Sequence, residues 1–401
     1  MTTTLLLDLS GTAHTTARTG IQRVCRALPE ALRAGGGNPL AVTHDPYAGG
    51  WRLLAGWERA NLESSAPARR RKARWPWPAR LAGWGRRGLG GIKAPPRADA
   101  LLMPEIFSPV TARALPALFA RTSGPRVALF HDAIALQLPE LTPPGTVGRF
   151  PGYLRELLAF DGIAAVSEDS RRSLLEYWRW AGFSGCPPVV AIPLGVDPLP
   201  PVASTGPERL PATDPVVLCV GSLEGRKNHL ALLEAVEMLW ARNIRFQLRL
   251  IGLVQPQTGR EGLARLRQLQ EAGRPLRFDG PVDEATLHAA YGECAFTVYP
   301  SLREGFGLPV LESLLHGKPC VCSARGALGE SARGGGCLAL EAVDAPDLAA
   351  ALSHLLTQPD ERARLAAAAG RRVFKPWPAH AAELLTWMRT LPRRASPFAV
   401  G

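Results

Sequence analysis

The sequence predicts an α/β protein made of two doubly wound parallel-sheet domains facing across a cleft. Short apolar runs alternate with longer amphipathic stretches from one end of the chain to the other, the signature of βα units. At 401 residues the chain is also too long for one ordinary core. Between Pro198 and Pro215 the periodicity gives way to prolines, Gly206 and small polar residues, which reads as a linker over 198–214 between two independent sheets. Such folds bind ligands at the carboxyl ends of their strands.

The first domain is read as residues 1–197. Leu5 to Leu7, Val127 to Phe130, Ile163 to Val166 and Val189 to Ile192 are apolar runs short enough for buried strands. Ser167, followed by Glu168 and Asp169, starts a helix: a hydroxyl caps free N–H groups and the carboxylates face the positive end of the dipole. From about 64 to 97 the composition changes to Arg, Pro, Gly and Trp without a clear period, which predicts a long insertion. The second domain, 215–375, carries strand signals at Val216 to Val220, Phe246 to Ile251, Leu276 to Phe278, Ala295 to Tyr299, Cys320 to Cys322 and Cys337 to Leu340. Residues 376–401 are read as a C-terminal helix able to cross back onto the first domain.

Bulk properties narrow the function classes. Hydrophobic residues make up 46% and charged residues 20%, enough to bury a core, so fibrous and wholly disordered readings drop out. The net charge of +12 is local: Arg69 to Arg97 holds ten Lys or Arg and no acid, and the rest of the chain carries only +2. Nucleic-acid binding loses most of its support with that distribution. Seven scattered cysteines without a C-x-x-C pair predict reduced thiols. With no signal-peptide pattern and no apolar run near ~20 residues, the expected place is the cytoplasm, at most peripheral at the inner face of the plasma membrane.

Two turns carry the chemistry. Tyr299 to Glu312 (Tyr-Pro-Ser-Leu-Arg-Glu-Gly-Phe-Gly-Leu-Pro-Val-Leu-Glu) follows a strand, turns on two glycines and enters a helix with Pro309 in its first turn, where a missing N–H costs nothing. Such a helix start offers backbone N–H groups and a dipole to an anion, and Glu304 and Glu312 frame it with groups that hold sugar hydroxyls. Val220 to His229 is a second strand, glycine turn and helix start, in which Arg226 and Lys227 suit a departing diphosphate. Cations at a helix start are unfavourable unless an anion joins them. The spacing is not that of a Walker A loop, and Asn228 stands where a magnesium-binding hydroxyl would be.

Together the E-x7-E segment, the G-x-L-x-x-x-K turn, Ile192 to Asp197 before the linker and His131-Asp132 after a strand resemble glycosyltransferase family 4, the retaining enzymes of the GT-B fold. The similarity covers nearly the whole chain outside the basic insertion and is strongest from Val217 to Ser323. The resemblance implies transfer of a hexose from a nucleotide diphosphate sugar to a glycan or lipid-linked acceptor, with no cofactor besides that co-substrate. It assigns Lys227 and Arg226 to the diphosphate, Glu304 with the backbone of Gly305, Phe306 and Gly307 to the donor sugar, and Glu312 to the ribose. His131 would sit near the sugar's reacting face, and Gly20, in a loop from Ser10 to Ile21, would be the point of closest approach. The catalytic set is then His131, Glu304 and Lys227, with the helix start near Leu308 stabilising the leaving group. The sequence departs from many family members in having Ser222 where they place an arginine, a charge that Arg226 replaces in this reading. No D-x-D triplet occurs, in keeping with a metal-independent reaction.

Thr19-Gly20-Ile21 resembles the turn of mannosyl- and rhamnosyltransferases, so GDP-mannose is the first donor expected, with UDP- and dTDP-sugars as alternatives. The expected product is a cell-surface polysaccharide, lipopolysaccharide or other glycoconjugate. A sugar-nucleotide epimerase and a non-catalytic nucleotide-sugar-binding partner subunit are the rival readings. The basic segment 69–97, with Trp75, Trp77 and Trp84, reads either as a solvated loop or as a patch for an anionic membrane surface.

Overall fold

The computed structural model describes residues 3–64, 74–89, 91–197 and 214–394. Its contacts divide the chain into two units, one of residues 1–133, 148–195 and 375–401, the other of 134–147 and 196–374. Residues 134–147, read from sequence as part of the first domain, thus group with the second unit. Most of the expected linker, 198–213, lies outside the described residues.

The first unit is a seven-stranded sheet in the order β3-β2-β1-β4-β5-β6-β7. The strands are β1 Thr3–Asp8, β2 Gly37–Asp45, β3 Gly50–Leu53, β4 Ala100–Met103, β5 Arg126–Phe130, β6 Gly162–Ala165 and β7 Val189–Ala191. All neighbours are parallel except β2 and β3, which form a hairpin. Leu5, Leu6 and Leu7 are fully buried on both faces of the sheet, and each such side chain stabilises the fold by about 2 kcal/mol. The helix Gly20–Ala34 follows β1 and buries Val24, Cys25, Leu28 and Leu32.

The C-terminal helix Trp377–Thr390 belongs to this unit. His380 Nδ1 meets the Pro193 carbonyl at 3.0 Å, and a Cβ on Gly195 would lie 2.5 Å from Trp377 Cα, so only glycine admits the helix backbone there. Beyond it, the Arg394 amide donates to Asp161 at 2.7 Å, the carboxylate that also pairs with buried Arg126 at 2.7 Å.

The second unit is a six-stranded parallel sheet in the order β10-β9-β8-β11-β12-β13. Its strands are β8 Val216–Val220, β9 Gln247–Ile251, β10 Leu276–Phe278, β11 Phe296–Tyr299, β12 Cys320–Ser323 and β13 Cys337–Leu340. The helix His229–Ala241 covers one face with Leu232, Leu233, Val236 and Leu239, all fully buried. From β8 the chain winds outward to β9 and β10, then returns to β11 on the other side, so the order reverses between β8 and β11. Connections leaving those two strands diverge and open a crevice at their carboxyl ends.

The insertion holds more order than its composition predicts. A helix runs over Trp77–Gly88, with Pro78 tolerated in its first turn. Gly83 is its buried position: a Cβ there would lie 2.6 Å from Tyr47 Cβ, so glycine at that one position lets the helix rest on the hairpin turn. Trp75 is not an outward-facing residue of this segment, since its ring lies 4.2 Å from that of His14 and under the Arg52 guanidinium. The run from Arg69 to Lys72 lies outside the described residues.

Candidate functional site

The crevice of the second unit gathers both motif turns. After β8, a short turn over Gly225–Lys227 ends at Asn228, whose φ of 56° reverses the chain into the helix His229–Ala241. After β11, the chain passes through Glu304 to Gly307, then enters the helix Leu308–Leu315. The two turns are spliced by a backbone bond from Leu302 N to Arg226 O of 2.9 Å. Lys227 Nζ lies 2.5 Å from Glu304 Oε1 and 4.5 Å from the centre of the Tyr299 ring. Arg226 reaches the same Glu304 oxygen at 2.8 Å and Glu224 at 2.8 Å. The Tyr299 hydroxyl accepts from Lys227 and donates to Glu304 at 3.0 Å.

The electrostatics of this cluster follow from burial opposed by pairing. Burial alone would raise the Glu304 carboxyl, but Arg226 and Lys227 outweigh it and hold the group at about 2. Burial pushes the Lys227 ammonium down, Glu304 pulls it back up, and Arg226 adds to the depression. Two cations face two carboxylates, so the cluster is balanced as it stands. Sequence reasoning assigns Glu304 to a sugar and the cations to a diphosphate; in the structure Glu304 is itself the counter-ion of both cations.

The glycine turn then supplies a helix start. Gly307 has φ +93°, a backbone conformation that favours glycine, and a Cβ there would also press on Leu328 Cδ2 at 2.9 Å. The Phe306 carbonyl is held by the Ser331 hydroxyl at 2.7 Å, which fixes the turn around Gly305, Phe306 and Gly307. Leu308 opens the helix with Pro309 behind it, presenting the positive end of the dipole beside the Glu304 bend. One turn further in, Glu312 is 7% exposed and accepts from the Tyr291 hydroxyl at 2.9 Å. The Tyr291 ring stacks on His316 at 4.9 Å.

The residues expected from the first unit are described within that unit. His131 follows β5, is buried, and its Nε2 lies 2.6 Å from the Pro104 carbonyl, which sets the proton on Nε2 in the neutral ring. Burial lowers its pKa, against the pull of that carbonyl and of Asp132. The His131 carbonyl accepts from the Ser170 hydroxyl at 2.7 Å, while Ser167 caps its helix as expected. Gly20 is the first residue of its helix and faces open space where a Cβ would be.

Two acids that sequence reasoning did not select brace the loop before it. Glu105 accepts from the amides of Gly11 at 2.5 Å and Thr12 at 2.6 Å, and Asp8 accepts from Ser10 N at 3.0 Å. Burial first, then Glu105, raises Asp8 to about 7. Tyr291 and Tyr299 were also missed as site residues; the signal available for Tyr299 was its place at the end of the strand entering the E-x7-E turn. Among the described residues no group of three His, Cys, Asp or Glu is placed to hold a metal ion. No described helix is long and apolar enough to cross a membrane.

The chain resembles known proteins in sequence and in fold. Residues 204–372 match the family described as Glycosyl transferases group 1. The serotype-specific mannosyltransferase WbdA of Escherichia coli is 27% identical over 333 residues, covering 77% of this chain and 37% of that protein. The O-antigen chain mannosyltransferase B of Escherichia coli is 31% identical over 258 residues, covering 61% of this chain and 64% of the relative. The chain therefore spans little more than a third of the first relative. Among solved structures, sucrose-phosphate synthase from Thermosynechococcus elongatus superposes with a TM-score of 0.67 at 20% identity, covering 96% of this chain and 98% of that one, a likeness of fold. Over residues 204–372 the chain thus resembles the group 1 glycosyltransferases.

Proposed function

We propose that this chain is a group 1 glycosyltransferase that moves a hexose from a nucleotide diphosphate sugar to a glycan or lipid-linked acceptor, retaining the anomeric configuration and using no metal. The observation that carries the reading is the convergence of Lys227, Arg226 and the Leu308 helix start on the bend at Glu304, at the switch point of one sheet. Breaking the anomeric C–O bond leaves positive charge on the sugar and negative charge on the diphosphate. Two cations and a helix dipole stabilise that leaving group in a buried setting, where removing one such contact costs about 10²–10³ in rate. Glu304, relieved of its counter-ion duty when the diphosphate arrives, is free to take donor-sugar hydroxyls, and Glu312 takes the ribose. The roles of His131 at the reacting sugar and Gly20 at the point of close approach rest on the family resemblance.

GDP-mannose is the donor proposed first, supported by the two mannosyltransferase relatives; UDP- and dTDP-sugars giving glucosyl or rhamnosyl transfer are the alternative. The acceptor is proposed to belong to cell-surface polysaccharide or lipopolysaccharide synthesis and to be met from the cytoplasm at the inner face of the plasma membrane. Donor hydrolysis without acceptor tests the enzyme against a non-catalytic binding subunit. GDP-mannose, UDP-glucose and dTDP-rhamnose are offered in turn to the wild type and to Lys227→Ala, with chelator present. Hydrolysis of one donor, lost by at least about a hundredfold in the variant, is expected. No hydrolysis of any donor, equal rates in both proteins, or activity that needs added manganese overturns the reading.

A further inference from the structure

The helix Trp77–Gly88 carries a face that the described residues of its unit cover only at one edge, where Trp84 meets the Tyr47 ring at 5.6 Å. Trp77 is 68% exposed, Leu81 43% and Trp84 55%, and Leu89 just past the helix is 91% exposed. At about 100° per residue, positions 77, 81 and 84 fall within roughly 60° of one another, a single apolar stripe. Gly83, the position that rests on Tyr47, points away from that stripe. Large apolar side chains grouped like this on a surface mark an interaction site, whereas scattered ones do not.

The chemistry around the stripe selects its partner. From Arg74 to Arg97 the chain has six cations and no carboxylate, and Arg74, Arg87, Lys93 and Arg97 are all exposed. A protein partner would be expected to meet such a surface with scattered acids. A bilayer with anionic headgroups meets it with a continuous plane of negative charge, and tryptophan is the residue that seats best between headgroup and acyl chain. We propose that the stripe of Trp77, Leu81 and Trp84 lies in the interface of an anionic membrane, with the flanking cations on its headgroups. The helix is too short and too polar to span, so it lies along the surface. Trp75, held inside by His14, takes no part. This deepens the proposed function by placing the membrane contact on one helix face, and it is read by an assay that needs no donor.

Flotation of the full chain with two kinds of vesicle tests it, phosphatidylcholine alone and equal parts phosphatidylcholine and phosphatidylglycerol. The wild type is expected to float with the anionic vesicles only, and less so as salt rises. Trp77→Ser combined with Trp84→Ser is expected to lower that recovery about tenfold, while donor hydrolysis stays at the wild-type rate because neither residue belongs to the site. Equal recovery with both vesicles, recovery with neither, or unchanged flotation of the double variant overturns the proposal. So does a wild-type dimer, seen by light scattering, that the double variant loses, since the stripe would then be covered by a second copy. Flotation that persists in a protein without donor hydrolysis sinks the proposed reaction and leaves this inference standing.

Discussion

Glu304→Gln is expected to destabilise the protein and at the same time to make it respond more strongly to a nucleoside diphosphate. Arg226 and Lys227 take the Glu304 carboxyl from its ordinary 4.5 to about 2. At ~1.4 kcal/mol per tenfold change, that drop corresponds to roughly 3 kcal/mol of folding stability. The sign follows from the depression: the contribution is fully present above pH 4.5 and disappears as the pH falls through about 2. At pH 7 the glutamine therefore forfeits all of it, and leaves two cations facing Glu224 alone. A diphosphate supplies the missing negative charge, so it should rescue the variant more than it helps the wild type. Urea unfolding of both proteins at pH 7 measures this, with and without the diphosphate (GDP, UDP or dTDP) that gives the larger thermal shift. The gap is expected near 3 kcal/mol without nucleotide and below about 1 kcal/mol with it at saturation. Using the bare diphosphate keeps any Glu304–sugar contact out of the comparison. A gap that nucleotide leaves unchanged would refute the assignment of these cations to the phosphates.

The other expectations test single contacts. Tyr291→Phe removes the hydroxyl that donates to Glu312, a bond to a charged group worth about 1.5 kcal/mol, so KM for the donor should rise roughly tenfold with kcat within twofold; a donor lacking the ribose 2′-hydroxyl should narrow that difference, and a fall in kcat alone would contradict a ribose role. Gly307→Ala places a Cβ against Leu328 at a φ of +93°, a cost of about 1–3 kcal/mol before any clash is relieved, and donor hydrolysis should fall with it; a variant with wild-type Tm and activity would show that the turn is not strained. Asp8 is raised to about 7, so its burial penalty is absent below pH 3.8 and complete above pH 7. Asp8→Asn should therefore gain Tm over the wild type as pH rises from 4 to 8, by at most about 4 kcal/mol in stability terms, and parallel Tm curves would contradict the assignment.

What the sequence makes legible depends on how locally each feature is determined. The central strands of the second unit, β8, β11 and β12, are largely buried and so are written as mostly apolar runs, and all six strands stand within a residue of the runs that predict them. In the first unit β2 mixes Asn38, Thr43 and His44 into its pattern and β4 is only Ala100–Met103; both are strands because of the neighbours they pair with, which no short window contains. The helix Trp77–Gly88 hides behind its glycines, of which a contact with Tyr47 explains Gly83. The same division holds for the site. Strand, glycine turn and helix start are local grammar, and they point to both turns. That Glu304 is clamped by cations 77 and 78 residues earlier, or that Asp8 on β1 and Glu105 just past β4 brace one loop, is tertiary information.

The register of two strands explains why those turns meet at all. Phe296 pairs with Val217 and Thr297 with Leu218, so Tyr299 stands level with Val220 at the carboxyl edge of the sheet. Both loops leave from the same height on adjacent strands, and β8 and β11 are the pair at which the winding reverses, so neither loop is covered by a crossover from the other. Slipping the pairing by one residue would turn the Tyr299 hydroxyl to the opposite face and leave Lys227 buried without its acceptor. The charge arrangement is thus a consequence of topology. If the site takes a diphosphate, as proposed, it has to fold in its absence, and unpaired cations at that depth would cost several kcal/mol. Glu304 removes that cost by pairing with both cations, and on the proposed reading an arriving diphosphate would exchange for it as their counter-ion.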